Sequence, residues 1–259
     1  MRSRSNPVYK RLVSARERAR DGRGHLLLEG PKLVSEALAA GLALELLALS
    51  ERASETPLGR KLGGTGVEPR ILSEALLGSL SEMETSQGVL AIAQAPRFSE
   101  AAVMGGAPLL LVACGIQNPG NLGGLLRTAE AAGATGALLT KGSADPFSWK
   151  SLRGSMGSAL RLPHLGRLTV DEVLAKLRER RIRLVAADRH APLRYDAADL
   201  RGPLAIAVGS EGAGLPEALA RAAEVRVAIP LRAPVESLNV GVAAGVLFFE
   251  AARQREAAS

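Results

Sequence analysis

Beyond residue 107 the chain repeats one pattern: short runs of almost unbroken aliphatic residues (PLLLVAC, GALLT, IRLVAAD, LAIAVG, VRVAIP) alternate with amphipathic helical stretches near 122–132, 170–180, 215–222 and 237–254. A strand that is apolar on both faces needs both faces covered, so strands of this kind separated by helices predict a parallel sheet with helices on either side. Thr169 and Glu172 stand at T-x-x-E spacing at the head of the second helical stretch, where each side chain can satisfy a backbone N–H left open by the helix start.

Residues 1–96 are organised in shorter units. A basic helix near 7–20, a strand at HLLLE, a helix at PKLVSEALAAG and a strand at LELLALS precede a glycine-rich turn (LGGTGVEP), a short helix near 73–80 and a strand at QGVLAIAQA. Pro31 at a first helical position and Gly41 just past the end are start and stop signals. The segment PRFSEAAVMGGAP breaks the periodicity, which places a linker at 97–107 between a small α/β domain (1–96) and a larger α/β domain (108–259).

Composition narrows the functional classes. With 47% apolar and 23% charged residues the chain is a globular protein, and its longest apolar runs fall short of the roughly 20 residues that span a bilayer. The basic N-terminus leads into more charge rather than an apolar stretch, so neither a secretory signal nor a membrane span is expected, and a cytoplasmic location is. One cysteine, Cys114, and three scattered histidines, His25, His164 and His190, offer neither an intrachain disulfide nor metal-ligand spacing; Cys114 reads as a small buried hydrophobe at a strand end. The net charge is +7, and residues 1–24 hold eight of the basic residues against Glu17 and Asp21, a surplus of six. Such an arm fits a polyanionic partner whose phosphates it would neutralise.

In a parallel α/β sheet, ligands bind beyond the carboxyl ends of the strands, so the loops that follow strands are the places to look for chemistry. Three are unusually rich: GIQNPGNLGGLLRTAEAAGA (115–134), GSEGAGLPEAL (209–219) and IPLRAPVESLNVGVAAGVLFFEAARQR (229–255). The first opens a helix, with Asn121 a cap by type and Arg127 two turns in, a lone guanidinium among Leu, Ala and Gly that is either exposed or held for a phosphate or carboxylate. The second sets Gly209, Gly212 and Gly214 around Glu211, allowing close backbone approach to a ligand; it is neither a Walker A loop nor a G-x-G-x-x-G dinucleotide loop. In the third, Ser237 and Asn239 precede a long apolar helix and could be caps and nothing more.

Together, in this order, the three segments resemble the signature motifs of the SpoU/TrmH RNA 2′-O-methyltransferases: N-P-G-N-L-G-x-x-x-R-T-A, G-S-E-G-x-G-L and I-P-L…V-E-S-L-N-V. DPFSWKSLRGSMGSALRLP is similar to the segment between the family's first two motifs, and SRSNPVYKRL with HLLLEGPKLVSEAL resembles the opening of its N-terminal substrate-binding domain. The resemblance implies an α/β chain with a deep trefoil-knotted methyltransferase domain behind a small ribosomal-protein-like α/β domain, transfer of methyl from S-adenosyl-L-methionine to a ribose 2′-hydroxyl of RNA, ribosomal RNA before transfer RNA, and a homodimer packed through the C-terminal domain. It implies a catalytic set of Arg127, Asn121, Glu211, Ser237 and Asn239, cofactor contacts at Gly209, Ile229 and Leu238, and no metal. Ala233 stands where the family usually has glycine and Gly241 where it commonly has serine; neither removes a group of that set. A non-catalytic RNA-binding or ribosome-assembly protein is the rival expectation, favoured only had the arginine or the Ser237/Asn239 pair been missing.

Overall fold

The computed structural model describes residues 3–20, 24–64, 66–210 and 212–257, apart from the side chains of 18–20. Glu211 lies outside the described residues, as do Arg2, Asp21, Arg23 and the side chains of Arg18 and Arg20 from the basic arm. The chain forms two compact units: residues 1–97 with 147–160, and residues 98–146 with 161–259.

The first unit is built on a mixed sheet of β1 (His25–Glu29), β2 (Leu44–Leu49), β3 (Arg70–Ile71) and β4 (Val89–Gln94), in the order β1-β4-β2-β3. β4 pairs antiparallel with β1 and β2, while β3 joins β2 in parallel. The helix Pro7–Arg20 contributes Val8, Leu12 and Ala15, spaced to share one helical face, to a core with Leu27, Leu46, Leu90 and Ile92. The second helix, Pro31–Ala39, starts at Pro31, and Gly41 beyond it takes the left-handed φ of +79° that ends it. Two short helices, Glu51–Glu55 and Pro57–Gly63, were not legible in the sequence; the Ser50 and Thr56 side chains cap them.

The second unit carries β5 (Leu109–Cys114), β6 (Gly136–Thr140), β7 (His164–Leu168), β8 (Arg183–Ala187), β9 (Leu193–Arg194), β10 (Leu204–Gly209) and β11 (Val225–Ala228), ordered β7-β6-β5-β10-β8-β11-β9. Every pairing in this sheet is parallel, as the aliphatic runs predict. All of β5 is buried, and β10 beside it is buried up to Gly209, which puts the most continuous apolar runs at the sheet centre. β7 and β9 form the two edges and lack that signature, because an edge strand tolerates residues such as His164, Gly166 and Arg167. The helix Val170–Glu179 opens with the full Thr169–Glu172 capping box.

The segment 97–107 is not simply a connector. It contains the helix Glu100–Met104, whose Val103 and Met104 are buried in the second unit's core. Gly136 lies against it so closely that a Cβ there would stand 2.6 Å from the Val103 carbonyl oxygen. Residues 147–160, which the sequence places inside the larger domain, belong to the first unit. Among the described residues no helix is long and apolar enough to cross a membrane.

Candidate functional site

Because all strands of the larger sheet run one way, β5, β8, β10 and β11 end on the same side, and the loops that follow them gather there. From β5 the chain proceeds through β6 to β7, whereas β8, β11 and β9 lie on the far side of β10, so the strand order reverses between β5 and β10.

After β5, Asn118 rather than Asn121 caps the helix Pro119–Ala131, its Oδ1 accepting from Gly120 N at 2.8 Å and Asn121 N at 3.2 Å. The physical reason is Pro119, which has no N–H to leave unsatisfied and favours the first helical position, moving the cap one residue before it. Asn121 thereby sits in the first turn, and its Oδ1 accepts from Asn239 Nδ2 at 3.4 Å. Leu122, Leu125, Leu126 and Ala129 form the buried face of this helix. Arg127 is exposed, and among the described residues its guanidinium has no hydrogen-bond or ion-pair partner.

After β10 the chain folds back on itself. Gly214 N donates to Ser210 O at 2.8 Å, and Ser210 Oγ accepts from Ala213 N at 3.2 Å. A Cβ at Gly209 would stand 2.1 Å from the carbonyl carbon and oxygen of Gly214, so only glycine fits there, and Gly214 itself takes φ +67°. After β11 the loop passes a cis Ala233–Pro234 peptide and reaches Asn239, whose Oδ1 accepts from Gly241 N at 2.9 Å and caps the helix Val240–Glu256. That helix lies against Pro119–Ala131 closely enough for a Cβ on Gly245 to meet Thr128 Cγ2 at 3.3 Å.

The loops after β8, β10 and β11 wall a cavity of about 430 Å³. Gly209, Ile229, Leu238 and Ser237 line it, so four of the eight candidate catalytic and cofactor residues come together there, with Gly212 and Gly214 beside them. Val208, Leu215, Val227 and Val240 make much of the wall apolar, while the 209–214 turn offers backbone polar groups. Arg127, Asn121 and Asn239 do not line the cavity.

The loop after β8 adds to the lining Asp188, which no motif in the sequence points to, and His190, which the sequence offers only as one of three scattered histidines. The signal available was positional: Asp188 directly follows the aliphatic run RLVAA, at the carboxyl end of a central strand. Burial pushes the Asp188 carboxyl up, but donors from Arg226, with Nε at 2.9 Å, and from His190 N at 2.9 Å together outweigh it and hold the group below the usual aspartate range. Two other titratable groups are structural. Burial pushes the Cys114 thiol up to about 12, leaving a protonated core residue at the end of β5. Burial lowers the pKa of His164, which packs on Phe98 at 4.9 Å between ring centroids. Among the described residues no group of three or more His, Cys, Asp or Glu side chains is placed to hold a metal ion.

Comparison with known proteins matches residues 108–249 to the SpoU rRNA methylase family and residues 6–91 to the MRM3-like substrate binding domain. The 23S rRNA (guanosine(2553)-2′-O)-methyltransferase RlmP of Bacillus subtilis is 32% identical over 93% of this chain and 93% of its own. A solved RNA 2′-O ribose methyltransferase superposes with a TM-score of 0.86 at 38% identity, covering 98% of this chain and 99% of that one. The SpoU methyltransferase AviRb of Streptomyces viridochromogenes, solved in complex with the cofactor AdoMet, superposes with a TM-score of 0.87 at 27% identity over 96% and 98% of the two chains. With that match running through the cavity, the three loops and the small domain alike, the chain belongs to the SpoU rRNA methylase family.

Proposed function

We propose that this protein transfers a methyl group from S-adenosyl-L-methionine to the 2′-hydroxyl of a guanosine ribose in 23S ribosomal RNA. The substrate follows that of the RlmP relative. The observation that carries the reading is the single cavity walled by Gly209, Ile229, Ser237 and Leu238, beside the Asn239–Asn121 hydrogen bond that joins the first and third loops.

The residues fit the cofactor. A volume of about 430 Å³ lies in the range of small-molecule sites, the apolar wall suits an adenine ring, and the turn that would close on a Cβ at Gly209 brings backbone groups to the ligand. When bound, the cofactor supplies a methyl group on a positively charged sulfur. Gly209, Ile229 and Leu238, which line the cavity, would hold it, and Asp188 would offer a carboxylate to its polar groups. A ribose hydroxyl is a weak nucleophile, so the protein's own residues would have to orient it toward the cavity and let its proton leave. Asn121, Ser237 and Asn239 position the nucleotide. An arginine keeps its proton throughout the ordinary pH range, so Arg127 orients the ribose or its phosphate rather than taking the proton itself.

Arg127 is exposed, unpaired among the described residues and absent from the cavity wall. This supports its serving the cavity of a second copy in a homodimer. Val242 and Phe249, each 54% exposed and seven residues apart on the helix packed against Pro119–Ala131, supply an apolar face for that contact. The reading extends to the family's trefoil knot, supported by Ile229, Leu231, Ser237 and Leu238 walling the same cavity as Gly209, Gly214 and Leu215.

The test is transfer of labelled methyl to separately purified 23S, 16S and transfer RNA lacking native 2′-O modifications, followed by mapping of the labelled ribose. Label on one guanosine of 23S RNA is the expected result; label confined to transfer RNA, or none in any pool while cofactor still binds, overturns it.

A further inference from the structure

Residues 147–160 fall inside the span that matches the SpoU methylase family, yet they fold as part of the unit that matches the substrate-binding domain. The chain leaves the second unit at Pro146 and re-enters it at Arg161. What fixes this excursion is Glu29, at the end of β1 and only 8% exposed, whose carboxylate accepts from Trp149 Nε1 at 2.8 Å, from Glu82 N at 3.2 Å and from the Ser81 hydroxyl. A carboxylate buried to this degree needs several donors, and the indole N–H, which can only donate, is one of them. Ser148 caps the helix Trp149–Ser155, and Ser151, Leu152 and Ser155 face inward.

The outward side is different in kind. Lys150 and Arg153 are exposed one turn apart, with the Arg153 guanidinium carbon over the Trp149 ring, 5.3 Å from its centroid, a cation–π distance. Among the described residues neither Lys150 nor Arg153 has a hydrogen-bond or ion-pair partner, so the guanidinium N–H fork is open to a ligand. Many other cations of the protein are engaged by carboxylates, Arg161 by Glu130, Lys176 by Glu100, Arg194 by Asp196 and Arg221 by Glu217. No acid occurs between 147 and 160. Met156 continues the strip; it takes φ +49°, a conformation uncommon for a residue with a side chain, and is 41% exposed.

We propose that the strip Lys150–Arg153–Met156 is an RNA-contact surface, so that substrate binding is shared between the N-terminal fold and this grafted segment. The proposal rests on RNA being the substrate. Lys150 and Arg153 meet phosphates, the guanidinium through its two-pronged N–H fork, and Met156 meets a base.

The experiment measures binding of full-length protein to an unmodified 23S RNA transcript across a salt series, with methyl-transfer kinetics beside it. Lys150→Ala/Arg153→Ala should bind about tenfold or more weakly, with the slope of log affinity against log salt reduced by about 1.5, the value for two lost phosphate contacts. KM for RNA should rise with kcat and cofactor affinity unchanged. Met156→Ser should weaken binding without altering the salt slope. Arg194→Ala/Arg221→Ala, which removes the same charge elsewhere, should bind as the parent does. Equal losses in the two double variants, or none in the first, overturn the surface assignment while leaving the substrate class intact; a parent protein that binds no RNA overturns both.

Discussion

Asn239 Nδ2 donates to Asn121 Oδ1 across 3.4 Å, linking the first turn of one helix to the N-cap of another 118 residues away. Asn239 therefore has two separable duties, and substitution can part them. Asn239→Ser keeps an oxygen for capping and loses the reach to Asn121, so methyl transfer should fall while thermal unfolding stays near the parent. Asn239→Ala should lose both, with about 1 kcal/mol of stability gone with the cap. Unfolding curves beside single-turnover rates decide it; equal activity of Asn239→Ser would remove the bridge from the mechanism.

Gly209 is the position at which the cavity tolerates least. A Cβ there would stand 2.1 Å from the Gly214 backbone, so Gly209→Ala must push the 209–214 turn open. The expected cost is about 1–3 kcal/mol of stability, typical of overpacking, together with tenfold or greater loss of cofactor affinity by calorimetry. Unchanged cofactor binding would show that the turn does not form the site.

Arg127→Ala should abolish most methyl transfer, by roughly 100-fold or more, the scale of a lost orienting or acid–base group, while cofactor affinity stays as it was because the residue lies off the cavity wall. Parallel binding and rate measurements separate the two. A matching loss of both would place Arg127 in cofactor binding instead.

Phe249→Glu puts a charge on the exposed apolar face of the last helix. If that face joins two copies, light scattering should report a monomer, and activity should fall because Arg127 no longer reaches a second cavity. A dimer that survives Phe249→Glu and Val242→Glu together would move the interface elsewhere.

The Asp188 carboxyl is held below the usual aspartate range despite its burial, by its bonds from Arg226 and His190 N. A depressed folded-state pKa means that its stabilising contribution is fully present above the unfolded value of about 3.9, and is lost as pH falls from there through the lower folded value. Thermal unfolding between neutral and strongly acidic pH should show Arg226→Gln reducing that acid-dependent loss relative to the parent. Identical pH profiles would mean that the pair contributes nothing measurable.

The larger sheet was legible because β5, β6, β8 and β10 are apolar on both faces, and a run of that kind is read without knowing its neighbours. The capping box at Thr169 and the start at Pro31 were legible for the same reason: each is a local hydrogen-bonding or steric preference. Asn121 was misread as a cap because Asn118 is of the same type, and the proline between them decides the matter. The edge strands escaped notice, as did Asp188, whose membership of the site depends on which loops lie beside it.

Residue pattern along the chain is enough for the parallel α/β class, the inner strands of the larger sheet, the long helices, and three loops whose residue types belong to one family's motifs. Tertiary structure alone decided that Gly209, Ile229, Ser237 and Leu238 share a cavity, that Asn121 meets Asn239, and that residues 147–160 fold onto the first unit through Trp149 and Glu29. Periodicity and capping act over a few residues along the chain, whereas these contacts join positions 20 to 120 residues apart and exist only once strand order has brought the loops together.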